Sequence, residues 1–477
     1  MKKSVLVCLL AALSMAQLDA ETVLYHNATL INPATEQQLN HGWLLVQDGR
    51  IVKMGQAQAD GLPAANRQID LQKHYVLPGL IDVHLHLTAG PHRVEMRDGT
   101  PVITMKGHSE ITRYHALSTL ATGVTTAFSP AGDPVANADY VQQQQAGYWP
   151  GPRLHYAGYV FEPTPILGGS VHPTDEASWR AEIASQQAMG VDYIKLYTGL
   201  TPGEVAMGVR LAREAGLKTV AHLDGVSWQY AADLGIDVLT HALPTSAELL
   251  TGAGRAAYLA ERKNPFNQRF IYSWFQHVDY DSEPMQRLIQ TLAQQQTRVD
   301  LTLVVNELFY FARELDALYP EDAMWVFHPE TRRRWRALMA GPSYDWSAAD
   351  FAIAQQQLPK VKEFFKRLYD AGVPLAIGSD SVSSGPFFLR ELQLSQAAGL
   401  SNWQVLQLAT VGGAHHLGLA DTGQLAEGYL ADFIVVSANP VTDLNALSTV
   451  HTVVQQGKRW QVEALKEKLT TLSSLEL

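Results

Sequence analysis

Two histidines separated by one residue, His84 and His86, stand in the apolar run 80–87, where ordinary packing favours aliphatic side chains. In a β-strand, residues two apart point to the same side, so both imidazoles would share one face near the strand end. Two imidazoles in that arrangement can bind one divalent metal ion. The alternative is a pair of partly buried structural histidines, since 17 histidines in 477 residues would give roughly half of one such pair by chance.

A lysine lies inside a second apolar run, 193–197, where burial of its cation is costly. Lys195 could form a salt bridge with a carboxylate such as Asp192, or its ammonium could reach solvent while its methylene groups stay buried. For a single lysine taken from an arbitrary strand, either explanation is more common than a role in chemistry. Lys195 therefore indicates a functional site only if other candidate metal ligands lie near it.

Three further side chains directly follow apolar runs: His222 follows 219–221, His241 follows 238–240 and Asp380 follows 377–379. A single histidine of this kind is more often a hydrogen-bonded core residue than a ligand, and a single aspartate is often a helix N-cap or a turn residue. Six metal-competent residues on five predicted strands are harder to explain one by one. If the strand ends meet, they predict one metal centre.

These side chains need a fold that brings the ends of separate strands together. Between residues 77 and 422, apolar runs alternate with helical patterns such as 202–215 and 359–371, each followed by a glycine typical of a helix C-cap. The strand-like runs are 80–87, 123–128, 154–160, 193–197, 219–223, 238–241, 301–305 and 375–377. Eight strands alternating with helices predict an α/β fold, a (β/α)8 TIM barrel, which has its active site at the carboxyl ends of the strands. Periodicity alone leaves an open doubly wound sheet as the alternative.

The segments on either side of the predicted barrel read as short strands. Asp48-Gly49 marks a hairpin turn in the first segment, and Gln456-Gly457 marks another near the end of the chain. Each segment alone is too short for a good core, so we expect 21–76 and 423–465 to form one composite β-sandwich. Two separate edge hairpins on the barrel are the alternative, and 466–477 is assigned as a C-terminal tail.

Composition limits the classes of partner. The chain has 477 residues, of which 46% are hydrophobic and 17% charged, and its formal net charge is -11. A large core can therefore be buried, and without a basic block a nucleic-acid partner is not expected. The single cysteine, Cys8, excludes a disulfide scaffold and a thiolate metal site.

Residues 1–20 resemble a secretory signal peptide. Lys2 and Lys3 precede an apolar run that ends in small residues, with cleavage expected after Ala16 or Ala20. The run is shorter than the ~20 residues that span a bilayer, so stable membrane insertion is not expected. The pattern predicts export to the periplasm or the medium, and a buried N-terminal helix is the alternative.

Taken together, these motifs resemble the amidohydrolase superfamily, and within it the imidazolonepropionase-like or prolidase-like (Xaa-Pro dipeptidase-like) branch. The resemblance runs in order along nearly the whole chain after residue 20. The matching segments are LPGLIDVHLH (77–86), GVTT (123–126), VDYIK (191–195), AH (221–222), TH (240–241), GSDS (378–381) and GQLAEGYLAD (423–432).

The resemblance implies a centre of two divalent ions. In that family pattern His84, His86 and Asp380 bind one ion, His222 and His241 bind the second, and a carboxylated Lys195 bridges them. Zinc is the first choice for such donors, and manganese, iron, cobalt or nickel are alternatives. A hydroxide between the ions would attack the substrate carbonyl, and Asp380 would pass its proton to the leaving nitrogen.

The resemblance also implies a substrate class: amide bonds of small molecules, such as Xaa-Pro dipeptides or N-acyl amino acids. A lactonase or cyclic-amide hydrolase with the same centre is the first alternative, and a barrel without catalysis that only binds a solute is the second. The branch often has Gly-Gly-His after its third strand, whereas here Gly168-Gly169 precedes Ser170-Val171-His172. His172 and Tyr197 are the expected substrate contacts, and a homo-oligomer is one open possibility.

Overall fold

The computed structural model describes residues 21–57, 61–91, 93–97, 100–104, 106–163, 167–262, 269–340 and 346–473. The predicted signal peptide, residues 1–20, lies outside the described residues. Within the described part of the chain, no helix combines the length and the apolar character needed to cross a membrane.

The strands fall into three sheets, two large and one small. In chain order they are β1 (Thr22–Asn32), β2 (Gln37–Gln47), β3 (Arg50–Gln56), β4 (Arg67–Asp70), β5 (Tyr75–Pro78), β6 (Leu80–Asp82), β7 (Arg93–Arg97), β8 (Thr100–Thr104), β9 (Val124–Ser129), β10 (Arg153–Phe161), β11 (Leu167–Gly168), β12 (Ser170–Val171), β13 (Tyr193–Leu196), β14 (Lys218–Ala221), β15 (Val238–Thr240), β16 (Arg298–Leu301), β17 (Leu375–Ile377), β18 (Phe433–Val436), β19 (Val450–Gln455) and β20 (Lys458–Gln461).

The helices mostly follow the barrel strands. They are α1 (Ser109–Ala121), α2 (Pro134–Gln145), α3 (Glu176–Ala188), α4 (Pro202–Glu214), α5 (Trp228–Asp233), α6 (Gly252–Glu261), α7 (Phe270–His277), α8 (Glu283–Gln295), α9 (Leu303–Tyr310), α10 (Leu315–Leu318), α11 (Pro329–Ala340), α12 (Ala348–Asp370), α13 (Gly385–Ala397), α14 (Asn402–Gln407), α15 (Gly413–Leu417) and α16 (Val462–Ser473). A π-helical segment, Leu408–Gly412, joins α14 to α15.

Eight parallel strands form the barrel, in the order β6, β9, β10, β13, β14, β15, β16 and β17. The first and last strands meet through backbone bonds: the Val83 amide donates to Ile377 O at 3.0 Å, and the Asp380 amide donates to His84 O at 2.8 Å. Helices alternate with these strands around the outside. The predicted (β/α)8 barrel is confirmed.

Alternation along each barrel strand separates two apolar cores. Inward side chains such as Phe128, Tyr193 and Val220 are buried together in the lumen. Outward side chains pack on the helices, as where Phe161 stacks on Trp179 of α3 with 4.5 Å between ring centroids. Because successive residues of a strand point to opposite sides, every second side chain points into the barrel. At the strand ends, these inward side chains face the lumen.

The seventh strand lies earlier than the sequence predicts. Residues 301–305 were expected to form it, but the strand is Arg298–Leu301 and helix α9 begins at Leu303. A short apolar run does not distinguish a strand from a buried helix. The buried positions Leu303, Val304, Glu307 and Tyr310 instead follow the three- to four-residue spacing of a helix face.

Helix α12 also begins earlier than expected. The sequence predicts a start at Pro359, because proline favours a first turn, but the helix starts at Ala348 and holds Pro359 in its interior. A capping box fixes the true start: Ser347 Oγ accepts the amide of Asp350, and the Asp350 carboxylate accepts from the Ser347 amide at 2.7 Å.

A second large sheet combines strands from both sides of the barrel segment. Its order is β20, β19, β18, β5, β1, β2 and β3, and β4 also pairs with β1. The two hairpin turns are present, with positive φ at Asp48 and Gly49 and at Gln456 and Gly457, as a two-residue hairpin loop of type I′ requires. Most of the expected C-terminal tail, 466–477, belongs to helix α16, and this helix packs on α1.

The small third sheet joins two loops of the barrel. Strands β7 and β8 form an antiparallel hairpin after the first barrel strand, and β11, from the loop after the third, pairs in parallel with β8. The sheet therefore links two loops on the side of the barrel to which the carboxyl ends of the strands point.

Barrel closure gives a first testable prediction. A Cβ atom at position 378 would lie 2.5 Å from the His84 Cβ, much closer than normal contact. We expect Gly378→Ala to lower the free energy of unfolding by about 1–3 kcal/mol, because the strands β6 and β17 must move apart. The midpoint of urea denaturation measures this change.

The matched control is Gly203→Ala in α4, where a Cβ has no neighbour within 4 Å. Alanine in a helix is favoured over glycine by up to about 1 kcal/mol, so this variant should be at least as stable as the parent chain. Equal stability of the two variants would contradict the account of the barrel seam.

Candidate metal centre

The structure brings all six predicted ligands to the carboxyl ends of the barrel strands. Each side chain belongs to a different strand end, apart from the first two. His84 and His86 follow β6, Lys195 lies in β13, His222 follows β14, His241 follows β15 and Asp380 follows β17. Parallel strands of a barrel place their carboxyl ends on one rim, which explains why residues far apart in the chain meet.

One group of donors converges on a single carboxylate oxygen. The Nε2 atoms of His84 and His86 lie 3.2 Å and 3.1 Å from Asp380 Oδ1. Ligand atoms of these three residues all lie within 4.8 Å of one another. This arrangement could hold one divalent ion.

The second group continues from the first without a break. The ring centroid of His241 lies 4.8 Å from that of His84 and 4.4 Å from that of His222. His241 Nδ1 is 3.8 Å from Asp380 Oδ2. The His222 Nδ1 atom is buried and has no hydrogen-bond partner among the described residues.

Lys195 is buried beside the two histidines of the second group. Its Nζ donates to Thr240 Oγ1 at 3.4 Å. Burial lowers the pKa of Lys195 to about 8, although Asp300 and Asp380 act in the opposite direction. Burial, together with the nearby lysine, lowers the pKa of His222 to about 3, so this imidazole is neutral and able to act as a ligand.

The carboxylates shape the protonation of the other donors. Burial by itself lowers the pKa of His84, but Asp300 and Asp380 outweigh it and raise the pKa to about 9. Burial favours a protonated Asp380, yet its histidine neighbours, His84 first, hold its pKa well below the usual range. Asp380 is therefore a carboxylate at neutral pH.

Three of the candidate ligand imidazoles have another group close to Nδ1. His86 Nδ1 lies 2.9 Å from Ala131 O, and His241 Nδ1 lies 2.6 Å from Thr302 Oγ1. His84 Nδ1 lies 3.1 Å from Asp300 Oδ1. These contacts leave Nε2 of each ring available toward the cluster.

Asp300 was not predicted from the sequence. The predicted seventh strand begins at residue 301 and therefore leaves Asp300 outside it. An acidic residue between the apolar residues Val299 and Leu301 was the sequence signal that could have identified it. In the structure it lies within β16 and is fully buried.

Two of the candidate ligands have a backbone conformation that is uncommon for residues other than glycine. His241 has φ +67° and Asp380 has φ +48°, both in the left-handed region. This conformation costs about 1–2 kcal/mol for a residue other than glycine. Such strain is concentrated at functional sites, where surrounding contacts hold it in place.

Asp82, the last residue of β6, connects two segments of the cluster through hydrogen bonds. Its carboxylate accepts hydrogen bonds from the Ser379 amide (3.0 Å), Ser379 Oγ (2.6 Å), Ser384 Oγ (2.7 Å) and the His84 amide (3.1 Å). Burial nevertheless raises the pKa of Asp82 to about 6. These bonds tie the segment before Asp380 to the segment that carries the first two histidines.

The donor set fits divalent metal ions. Four imidazoles and a carboxylate are ligands that zinc and similar ions prefer. The partnerless Nδ1 of His222, inside a buried cluster, is a donor that a bound cation would satisfy. The side chains of His86 and Asp380 keep 16% and 21% of their exposure, against 2% for His84, so the cluster opens on their side.

The two expected substrate contacts lie in different settings. The Tyr197 ring meets the His222 ring edge to face at 5.0 Å, directly beside the cluster. His172 Nε2 is 3.3 Å from Glu204 Oε1 at the start of α4. Among the described residues, no hydrogen bond or ring contact joins His172 to the six candidate ligands.

Comparison with known proteins finds one family model and several curated relatives that each match part of the chain. The Amidohydrolase family model matches residues 289–459. Imidazolonepropionase from Deinococcus deserti is 40% identical over 101 residues, which is 20% of this chain and 25% of that protein. The matched segments span about a quarter or less of the first curated relatives.

Solved structures match the fold over nearly the whole chain. A Xaa-Pro dipeptidase with methionine bound in its active site has a TM-score of 0.64 at 21% identity, with 92% of this chain and 100% of that chain covered. Ochratoxinase from Aspergillus niger has a TM-score of 0.66 at 18% identity, with 93% and 96% covered.

Metal removal tests the cluster directly. We expect a chelator to lower the melting temperature and zinc to restore it, because an ion that binds only the folded state stabilises it by about 2.7 kcal/mol at 100 times its Kd. Differential scanning calorimetry of chelated and reloaded protein measures the shift.

The variants His84→Ala and His241→Ala should lose this response to zinc. His277→Ala is the control, since this histidine pairs with Glu261 outside the cluster. A zinc response that survives both site variants, or disappears in the control, would argue against this location for the metal.

Proposed function

We propose that the chain is a member of the amidohydrolase superfamily and a metal-dependent hydrolase that cleaves the C–N bond of small amides. The observation that carries the proposal is the convergence of His84, His86, His241 and Asp380 within a few ångströms beside a buried lysine. Structural packing alone gives no reason to gather so many ionisable groups, and metal catalysis does.

We propose two ions, with zinc as the first choice. His84, His86 and Asp380 would hold one, and His222 and His241 the other. Divalent ions bound there would supply a Lewis acid for the substrate carbonyl and lower the pKa of water.

Lys195 is the proposed link between the two groups, in its carboxylated form. Its pKa of about 8 leaves a substantial fraction of neutral amine near neutral pH. A neutral amine attacks carbon dioxide, forms a C–N bond and releases one proton, which leaves a carbamate anion. The anion removes the cost of a buried ammonium and supplies two oxygen donors.

Asp380 is the proposed proton carrier of the reaction. Its Oδ1 lies beside two histidines, whereas Oδ2 lies 3.8 Å from His241 Nδ1, and the Asp380 side chain is partly exposed. Because its pKa is low, the carboxylate can accept a proton from the attacking water at neutral pH. It would then deliver that proton to the leaving nitrogen.

The proposed substrates are dipeptides such as Xaa-Pro, or N-acyl amino acids. A structural neighbour that is named a Xaa-Pro dipeptidase supports this class. Tyr197, beside His222, is proposed to contact the substrate, and His172 is a second contact if the rim loops bring it closer. Export of the enzyme through residues 1–20 is proposed from the sequence alone.

A substrate panel tests the function. Purified zinc-loaded protein is offered Xaa-Pro and other dipeptides, N-acyl amino acids and lactones, and released amine or acid is measured by mass spectrometry. We expect amide substrates to be cleaved faster than lactones. Faster lactone cleavage would favour the alternative reaction, and no turnover with any class would favour a binding protein.

The variant Asp380→Asn is the control for that panel. We expect it to keep most of its metal, because an amide oxygen can replace one carboxylate donor, and to lose at least about 100-fold in kcat through loss of the proton carrier. Near-normal turnover in this variant would contradict the role given to Asp380.

The carbamate has its own prediction. Metal-free protein should regain activity faster with bicarbonate than in carbon-dioxide-free buffer. Lys195→Ala should lose at least about 10–100-fold in metal affinity, with partial recovery when a short carboxylic acid is added. Lys218→Ala is the control, since this lysine of the neighbouring strand donates to Leu417 O instead. Reloading that is independent of bicarbonate, with full metal content in Lys195→Ala, would refute the bridge.

A further inference from the structure

One fully buried carboxylate touches the backs of two candidate ligands. Asp300 Oδ1 lies 3.1 Å from His84 Nδ1, and it accepts the backbone N–H of His241, also at 3.1 Å. Asp300 itself lies on β16, a strand that supplies none of the six ligands. Asp300, on the seventh barrel strand, thus connects the segments that follow the first and the sixth barrel strands.

We infer that Asp300 is a positioning residue of the metal centre, which fixes the tautomer of His84 and the backbone of His241. This inference rests on the proposed function, because orientation of these residues matters only if they bind metal. Its physical basis is the same as that of the carboxylate–histidine–metal arrangement, in which a carboxylate accepts the second ring N–H of a ligand.

The tautomer argument follows from the two edges of one ring. Asp300 meets His84 at Nδ1, and Asp380 meets the same ring at Nε2, at 3.1 Å and 3.2 Å. Both carboxylates can accept a ring N–H, but a divalent ion on the Asp380 side would take the Nε2 lone pair, and the one remaining ring proton would then be on Nδ1, bonded to Asp300. The Nε2 lone pair then points toward Asp380 and His86, where the other donors are.

Asp300 differs from the groups that hold the other rings. A carbonyl oxygen of Ala131 faces His86 Nδ1, and a hydroxyl of Thr302 faces His241 Nδ1. Both are neutral, whereas a hydrogen bond to a carboxylate is stronger and makes the opposite nitrogen a better donor to metal. Of these three rings, His84 is therefore the one whose Nδ1 faces a charged partner.

The second contact acts on the backbone. His241 has φ +67°, in the left-handed region that is unfavourable for residues other than glycine. The His241 amide donates a hydrogen bond to Asp300, and this bond holds the peptide group that precedes His241. A single carboxylate thus orients a side chain in one group of donors and a main chain in the other.

Asp300 could instead be a metal ligand, since ligand atoms of His84, His241 and Asp300 also lie within 4.8 Å of one another. The geometry favours the positioning role, because Asp300 and Asp380 occupy opposite edges of the His84 imidazole. An ion held by His84 Nε2 beside Asp380 and His86 lies on the far side of the ring from Asp300.

The experiment compares Asp300→Asn with Glu391→Gln, and zinc affinity is measured by competition with a coloured chelator. Glu391 is equally buried and accepts a backbone N–H, from Val304 at 2.7 Å, without touching a ligand. We expect a 10–100-fold weaker zinc affinity in Asp300→Asn, with KM unchanged and kcat largely restored at saturating zinc. Glu391→Gln should lose stability with no change in zinc affinity.

Three outcomes would overturn the inference. Zinc affinity in Asp300→Asn equal to the parent chain, with a stability loss like that of Glu391→Gln, would reduce Asp300 to a structural residue. Loss of one whole equivalent of zinc at saturation, with both retained in Asp380→Asn, would make Asp300 a ligand. Failure of the parent chain itself to bind zinc would instead overturn the proposed function, and this inference with it.

If Asp300→Asn does not fold, a measurement on the parent chain still tests the His84 tautomer. Nitrogen-15 NMR of histidine-labelled, zinc-loaded protein should contain one strongly deshielded Nδ1–H, typical of a proton bonded to carboxylate, and His84→Asn should remove it. A zinc-loaded spectrum in which the His84 proton resides on Nε2 would contradict the assigned tautomer.

Discussion

The structure depends on the close burial of ionisable side chains at one end of the barrel. Asp300, Asp380 and Lys195 would each be unfavourable alone in a space with so little water. Their mutual arrangement reduces this cost, because both carboxylates approach His84 and both act on the lysine. The proposed divalent cations and carbamate would add to that compensation.

The same residues close the barrel. Asp380 donates its amide to His84 O, and the His86 amide donates to Ser381 O, so the seam between first and last strands runs through the ligands. Asp82 adds bonds from both sides of that seam, and the absence of a side chain at Gly378 allows the close approach to His84. Three of the candidate ligands, His84, His86 and Asp380, therefore belong to the same segments that close the barrel.

The sequence was sufficient for features that depend on local pattern or on strand ends. Alternating runs predicted the barrel, and Asp48-Gly49 predicted a hairpin because few residues other than glycine, asparagine and aspartate adopt its φ values. Features that depend on tertiary context were missed. The run 301–305 is equally apolar as strand or helix, and that ambiguity concealed Asp300, whose importance comes from two residues 216 and 59 positions away.

The rim of the barrel shows why the substrate is harder to infer than the chemistry. Large aromatic residues in the long segment between the sixth and eighth strands are mostly engaged in packing: Trp274 and Phe275 are fully buried, and Trp335 packs on Phe387. The hairpin β7–β8 and its partner β11 also lie at this end of the barrel, and they supply none of the six candidate ligands. Relatives with one set of ligands can therefore differ in substrate, and a shared centre argues for a reaction type rather than for a particular amide.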